Sequence, residues 1–333
     1  MAKNRKIKFN FTIFIYLFIF IALVSIMFIV SRGVLFRPWT ARTFSASAMI
    51  ENHVFLFGGV DDDGVSRDEI MMIDMEKHSL DRPGHLPQPV YSASAAVCNG
   101  MIFIAGGLSG KQYQDAIYRF DPVAEEVELL GKLPGKRAFG AMSALGDYLY
   151  YTGGFDGNTL RSEIIKINCK TGEAAVSAEL PLPLEYHRTI TLDSLIYILG
   201  GEGEKGLNSL SVFAYSPADD RLIKMKELQE PIVRFGLTEI NSNAGREVIV
   251  SGQRGRERMN SIVNFNFTDG AYTEAFLGTL SESFSDVEIV SFDDNLYLIG
   301  GSNPSFMRQL RMVEVDPQSL EHKDVKLKSW AWR

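Results

Sequence analysis

Arg254, Arg256 and Arg258 occupy every second position of one short stretch, and a guanidinium is the side chain whose planar fork meets a carboxylate in two parallel hydrogen bonds. Three together suit an acidic sugar or an acidic peptide. The alternative is a solvated loop balanced by Glu257. Arg67, Arg161, Asn208 and Arg308 stand in comparable polar stretches, as does Glu202, and such mixed charge suits a polar ligand such as a sugar. His187 carries the one side chain that ordinarily titrates near neutrality, which makes it a candidate acid or base. Asp61-Asp62-Asp63-Gly64 offers hard oxygen ligands, but it lacks the spaced acids and distal glutamate of a calcium loop and reads as a hydrophilic turn. The five histidines form no close pair at metal-ligand spacing, and no His-Cys cluster supports zinc or copper. No glycine-rich stretch opens a helix as a phosphate cradle must. Neither a metal nor a cofactor is expected.

What positions these residues is a repeat. Gly-Gly occurs at Gly58-Gly59, Gly106-Gly107, Gly153-Gly154, Gly200-Gly201 and Gly300-Gly301, with Ser251-Gly252 where a sixth would fall; the intervals are 48, 47, 47, 51 and 49 residues. Each pair ends an apolar strand-like run, at 54–57, 101–105, 148–152, 196–199, 247–250 and 296–299. A turn separates each run from an earlier strand, as at Asn99-Gly100 or Gly146-Asp147. A third strand begins nine to eleven residues after each diglycine and a fourth follows. Four antiparallel strands in each of six units, with no convincing helix, describe an all-β, six-bladed propeller. The arginines, Glu202 and Asn208 then fall in the loops after the diglycines. Those loops share one rim, where variable residues on a rigid frame form the usual ligand surface.

The diglycine after an apolar strand, Tyr118-Arg119-Phe120-Asp121-Pro122, Leu133-Pro134 and Arg137 together resemble the Kelch repeat, over about residues 40–333. The Kelch pattern usually places a tryptophan at the start of the fourth strand, and Trp39, Trp330 and Trp332 all lie elsewhere, so these repeats are divergent. The resemblance implies a ring of blades around a channel, and at the start of the fourth unit, Glu185-Tyr186-His187-Arg188, it implies polar residues directed toward that channel. A narrower likeness concerns Gly201-Glu202-Gly203-Glu204-Lys205-Gly206-Leu207-Asn208. It is similar to the Gly-Glu-x-x-x-Gly-Leu-Arg stretch of bacterial N-acetylneuraminate epimerases, exported six-bladed sialic acid mutarotases, with Asn208 in place of the arginine. That likeness implies Glu202 and His187 moving the anomeric proton while arginines of the next blade hold the acid group. The expected function is a glycan- or protein-binding module at the loop rim; the alternative is a sugar mutarotase or epimerase. Two segments compete to close the ring: Val34-Leu35-Phe36-Arg37-Pro38 at the amino end and Val325-Lys326-Leu327-Lys328-Ser329-Trp330 at the other.

Residues 1–32 differ from the rest. Lys3, Arg5, Lys6 and Lys8 precede an uncharged apolar run at 9–30, long enough to cross a hydrocarbon core of about 30 Å. No small-residue cleavage site follows it, so it reads as an uncleaved signal-anchor with the cations in the cytoplasm. Residues 33–333 are therefore expected outside the cytoplasm on a single-pass tether, or secreted if the segment is cut. The remainder carries 29 basic and 41 acidic residues, a net charge of −12, which argues against nucleic acid as a partner. Cys98 and Cys169 fall at different points of their repeats and are expected to stay unpaired.

Overall fold

The computed structural model describes residues 42–61, 63–242, 245–254, 257–268, 271–302 and 310–329. The apolar run at 9–30 and the candidate closing segment at 34–38 lie outside them. Among the described residues no helix is long and apolar enough to cross a membrane.

The chain folds as the six-bladed propeller that the spacing predicts. Blade 1 contains Ala46–Ile50, His53–Phe57, Glu69–Asp74 and Ser79–His85; blade 2, Ser94–Cys98, Met101–Ala105, Ala116–Asp121 and Glu126–Lys132. Blade 3 contains Ala141–Leu145, Tyr148–Thr152, Glu163–Asn168 and Ala174–Glu179; blade 4, Arg188–Leu192, Leu195–Leu199, Val212–Ser216 and Arg221–Lys224. In each the first strand is an edge of its sheet and faces the axis. The second strands are buried at four of five positions in blades 1 to 4. A strand sandwiched between two neighbouring blades is covered on both faces, and this is why it reads as a continuous apolar run and not as an alternation.

Blades 5 and 6 depart from this plan. Gly245–Arg254 passes straight through Ser251-Gly252, with a register shift between Val250 and Gln253, and Glu257–Thr268 returns beside it. The loop expected here is a hairpin extension. Ala271–Phe292, 22 residues long, serves first as the outer strand of blade 5 and then as the inner strand of blade 6, which continues with Asn295–Ser302, Met312–Val315 and His322–Val325. With Val233–Ser242 as the inner strand of blade 5, the two blades form one seven-stranded sheet.

Apolar clusters fill all six seams, so the ring is closed by packing. Between blades 1 and 2, Phe57 and Phe120 meet edge to face at 5.6 Å; such aromatic pairs contribute about 0.5–1.5 kcal/mol beyond area burial. Between blades 6 and 1, Met71 and Ile73 pack with Tyr297 and Met312, and Val325 and Leu327 add to the same cluster. The last outer strand of blade 6 is His322–Val325, which shares only Val325 with the candidate tail at 325–330. The tail then crosses the seam, where Lys328–Ser329 pairs in parallel with Ser79 and Leu80 of blade 1.

The cysteines correct an expectation: Cys98 and Cys169 form a disulfide, with Cα atoms 6.4 Å apart. Their positions within the repeat differ, but the relevant proximity runs across a seam. The first turn of blade 2 lies beside that of blade 3, where Asn99 Nδ2 donates to Asp147 Oδ1 at 3.1 Å. The Cys169 amide in turn donates to the Asp147 carbonyl at 3.0 Å. An alignment of repeats carries no information about such a seam.

Candidate functional site

Chain entering each inner strand from the previous blade must turn sharply at the channel mouth. Six residues make that turn at equivalent places: Phe44, Ser92, Phe139, Tyr186, Arg234 and Asp286, with φ between 51° and 61°. None is glycine. Left-handed backbone costs a side-chain-bearing residue roughly 1–2 kcal/mol, and strain of this kind collects where function needs a fixed geometry. Hydrogen bonds around the axis hold the turns in place. The Ser92 amide donates to Phe44 at 2.8 Å, Phe139 to Ser92 at 3.1 Å, Tyr186 to Phe139 at 2.9 Å and Arg234 to Tyr186 at 3.3 Å, each to the carbonyl of the preceding blade. The diglycines allow the loops to come close behind this ring. At Gly201 (φ 90°) a Cβ would stand 2.7 Å from both the Glu185 carbonyl and the His187 Cβ, so no other residue fits without displacement.

All six side chains line the mouth. The Arg234 guanidinium lies over the Tyr186 ring at 4.1 Å, with Phe44 at 5.7 Å on another side. Phe139 packs against Tyr186 at 4.8 Å. Stacking of this kind is worth about 0.5–2 kcal/mol and leaves the fork's N–H groups in the guanidinium plane. Arg234 makes no ion pair or side-chain hydrogen bond among the described residues. Burial pushes the Tyr186 phenol well above its ordinary range, so it stays protonated.

Beside the ring, Glu185 and Glu202 exchange backbone hydrogen bonds of 2.9 and 2.7 Å, which puts their side chains on one side, Cβ atoms about 5 Å apart. Burial, then the negative charge of Glu202, raises the Glu185 carboxyl to about 7, although Arg234 pulls the other way. A carboxylic acid so poised exchanges a proton near neutral pH. Tyr113 approaches from blade 2; burial, then Glu185, raises its phenol.

The residues expected from sequence are scattered more widely. Glu202 joins the pair just described. His187 is 1% exposed, with Nε2 2.7 Å from Thr152 Oγ1; burial, then Arg188, lowers it to about 3, so it is neutral at physiological pH. Arg67 is held inside its own loop, donating from Nε to Asp61 Oδ2 at 2.6 Å, while Asp61 Oδ1 accepts from the Asp63 and Val65 amides at 3.0 and 2.9 Å. A cation of the chain thus fills the place that the acidic triplet offered to calcium. Arg161 pairs with Asp156 and, at 3.7 Å, with Glu163. Asn208 bridges back to Glu202 through backbone. Arg254 and Arg258 lie on the two strands of the blade 5 hairpin, in register with Glu257 and Gln253. Arg256 and Arg308 lie outside the described residues. Among the described residues no three metal-ligating side chains gather.

The Kelch motif matches residues 89–134, which is blade 2 with its flanking turns. No curated protein matches the chain in sequence. Among solved structures, that of YjhT is similar to this chain with a TM-score of 0.68 at 13% identity, covering 88% of this chain and 100% of the other. At that identity the likeness speaks for the fold alone.

Proposed function

We propose that this propeller is a membrane-tethered, extracytoplasmic recognition module that binds an acidic sugar over the mouth of its channel. The observation that carries the reading is Arg234, a guanidinium stacked on Tyr186 with no anion of its own at the point where all six blades converge. Aromatic faces and a free fork are what a carboxylate-bearing pyranose needs, a flat surface for the ring and two parallel donors for the acid. The tether is supported by the apolar run at 9–30, and the compartment by the Cys98–Cys169 disulfide, since such bonds persist in oxidising surroundings. Titrating N-acetylneuraminate into the detergent-solubilised full chain tests the reading. Saturable binding that Arg234→Ala weakens at least tenfold is the expected result, and equal binding by that variant removes it.

Glu185 favours a second reading, mutarotation of the same class of sugar. As the carboxylate, a group at about 7 can take the anomeric O–H proton while solvent delivers a proton to the ring oxygen. The ring C–O bond breaks to give the open-chain carbonyl form, and reclosure on the other face returns the first proton from Glu185 to the new anomeric hydroxyl and the second to solvent. Anomer interconversion followed by NMR decides it. Acceleration over buffer that Glu185→Gln and Glu202→Gln both abolish supports catalysis; no acceleration leaves recognition alone.

A further inference from the structure

Beneath Arg234 the channel holds a cavity of about 280 Å³ that shares Ala93, Arg188 and Glu288 with the mouth. One water needs only ~10–15 Å³ by the same measure. The walls are largely hydrogen-bonding. First strands are sheet edges, so their outer N–H and C=O groups face the axis without ladder partners. Arg188 of blade 4 spans the channel: Nε donates to the Phe235 carbonyl of blade 5 at 2.7 Å, and Nη2 to Glu288 Oε1 of blade 6 at 2.8 Å. That leaves Arg188 Nη1 and Glu288 Oε2 for another molecule. Thr189, in the same wall, has a hydroxyl with no hydrogen-bond partner. On the opposite side Ala46, Ala48 and Ala95 keep the wall thin.

An ion pair already neutralised within the wall repels neither a cation nor an anion strongly and attracts neither. Buried hydroxyls and open strand edges, by contrast, reward any group that both donates and accepts. We infer that the channel is a second compartment of the site, taking a neutral polyhydroxylated arm of the sugar whose carboxylate lies on Arg234. The inference rests on the acidic-sugar reading of the mouth, and it makes Arg188, Glu288 and Thr189 the residues that select for the arm.

The test uses three probes and two variants of the full chain. N-acetylneuraminate carries both carboxylate and polyol arm, a hexuronic acid carries the carboxylate on a pyranose without the arm, and a linear pentitol has the arm's chemistry alone. Ala95→Leu narrows the channel at a wall position that also packs against the seam between blades 1 and 2, so its melting temperature is read as well. Thr189→Val deletes one buried hydroxyl at nearly constant shape, and its melting temperature shows whether the fold is kept. Ala95→Leu should weaken N-acetylneuraminate at least tenfold and Thr189→Val about 2- to 10-fold, the worth of one hydrogen bond, while the hexuronic acid binds both variants as it binds the wild type. The pentitol should give a saturation-transfer NMR signal that Ala95→Leu removes. Equal losses for both acids, or none for either, overturn the channel assignment. If neither acid binds the wild type, the mouth reading has failed, and the pentitol still decides the channel: no signal, or a signal that survives Ala95→Leu, overturns it.

Discussion

The rim loops and the inner ring both present arginines, and the two sets are used in opposite ways. In the loops, Arg67 closes on Asp61 six residues away and Arg161 on Asp156 five residues away. A cation within reach of a nearby acid finds it at little entropic cost and holds the loop's shape. In the ring, backbone geometry turns Arg234 to the axis, where the neighbouring side chains are aromatic and Glu185, a carboxyl within reach of its charge, is itself driven toward neutrality by burial. Charge density on a rim therefore says little about binding. What matters is whether the fold leaves a charge without its own partner.

Exchanging the two sets should give opposite outcomes. Arg234→Ala is expected to lose about 10- to 100-fold in affinity for N-acetylneuraminate, the worth of a charge-assisted pair, with urea unfolding nearly unchanged. Arg67→Ala should do the reverse. It leaves the Asp61 carboxylate, whose side chain is 0% exposed, without its cation, which costs about 1–3 kcal/mol while binding changes less than about threefold. Burial acts to raise Asp61, but the Val65 amide and Arg67 outweigh it and hold the acid below its ordinary value. The stability from that pair is present above the unfolded acid's pKa and lost as pH falls through the folded one. In Arg67→Ala this acid limb should shrink. A loop arginine that matters to binding as much as Arg234 would break the comparison.

The propeller was legible because diglycine marks the same event in five units, the end of a strand pressed between blades. The ring was hidden because its members share a backbone conformation and not a residue type. Phe44, Ser92, Phe139, Tyr186 and Asp286 each stand fourteen residues before the first glycine of their unit, whereas Arg234 stands seventeen before Ser251. The register shift and long hairpin of blade 5 absorb the difference, so an alignment on glycines selects Leu237 in place of Arg234. Loop charge after the diglycines is the more conspicuous pattern in the sequence, although Glu185 and Tyr186 stand directly beside His187. Seam contacts such as Cys98–Cys169 were out of reach for a related reason, since a repeat period describes one blade and says nothing about which turns of adjacent blades touch.

The smallest expected effect is the most specific to the ring. Glu185 has a folded pKa of about 7, above its unfolded value, so from about pH 4.5 to 7 the folded chain keeps a proton that the unfolded chain has released. Stability must then decline as pH rises through that window, and the cost of the buried charge is complete only above it. Glu185→Gln keeps the shape and removes the proton, so the variant should gain on the wild type as pH rises from 5 to 8 and then run parallel. Binding of an anion should follow the same group. Once ionised, Glu185 draws on Arg234 and repels the incoming carboxylate, and affinity should fall about threefold between pH 6 and 8 in the wild type, a like-charge effect of under 1 kcal/mol in a partly solvated site. In Glu185→Gln the profile should be flat while Arg67→Ala keeps the wild-type slope. Parallel slopes in all three proteins would mean that the carboxyl beside the ring is not coupled to the guanidinium within it, and the mouth would then be an assembly of independent parts.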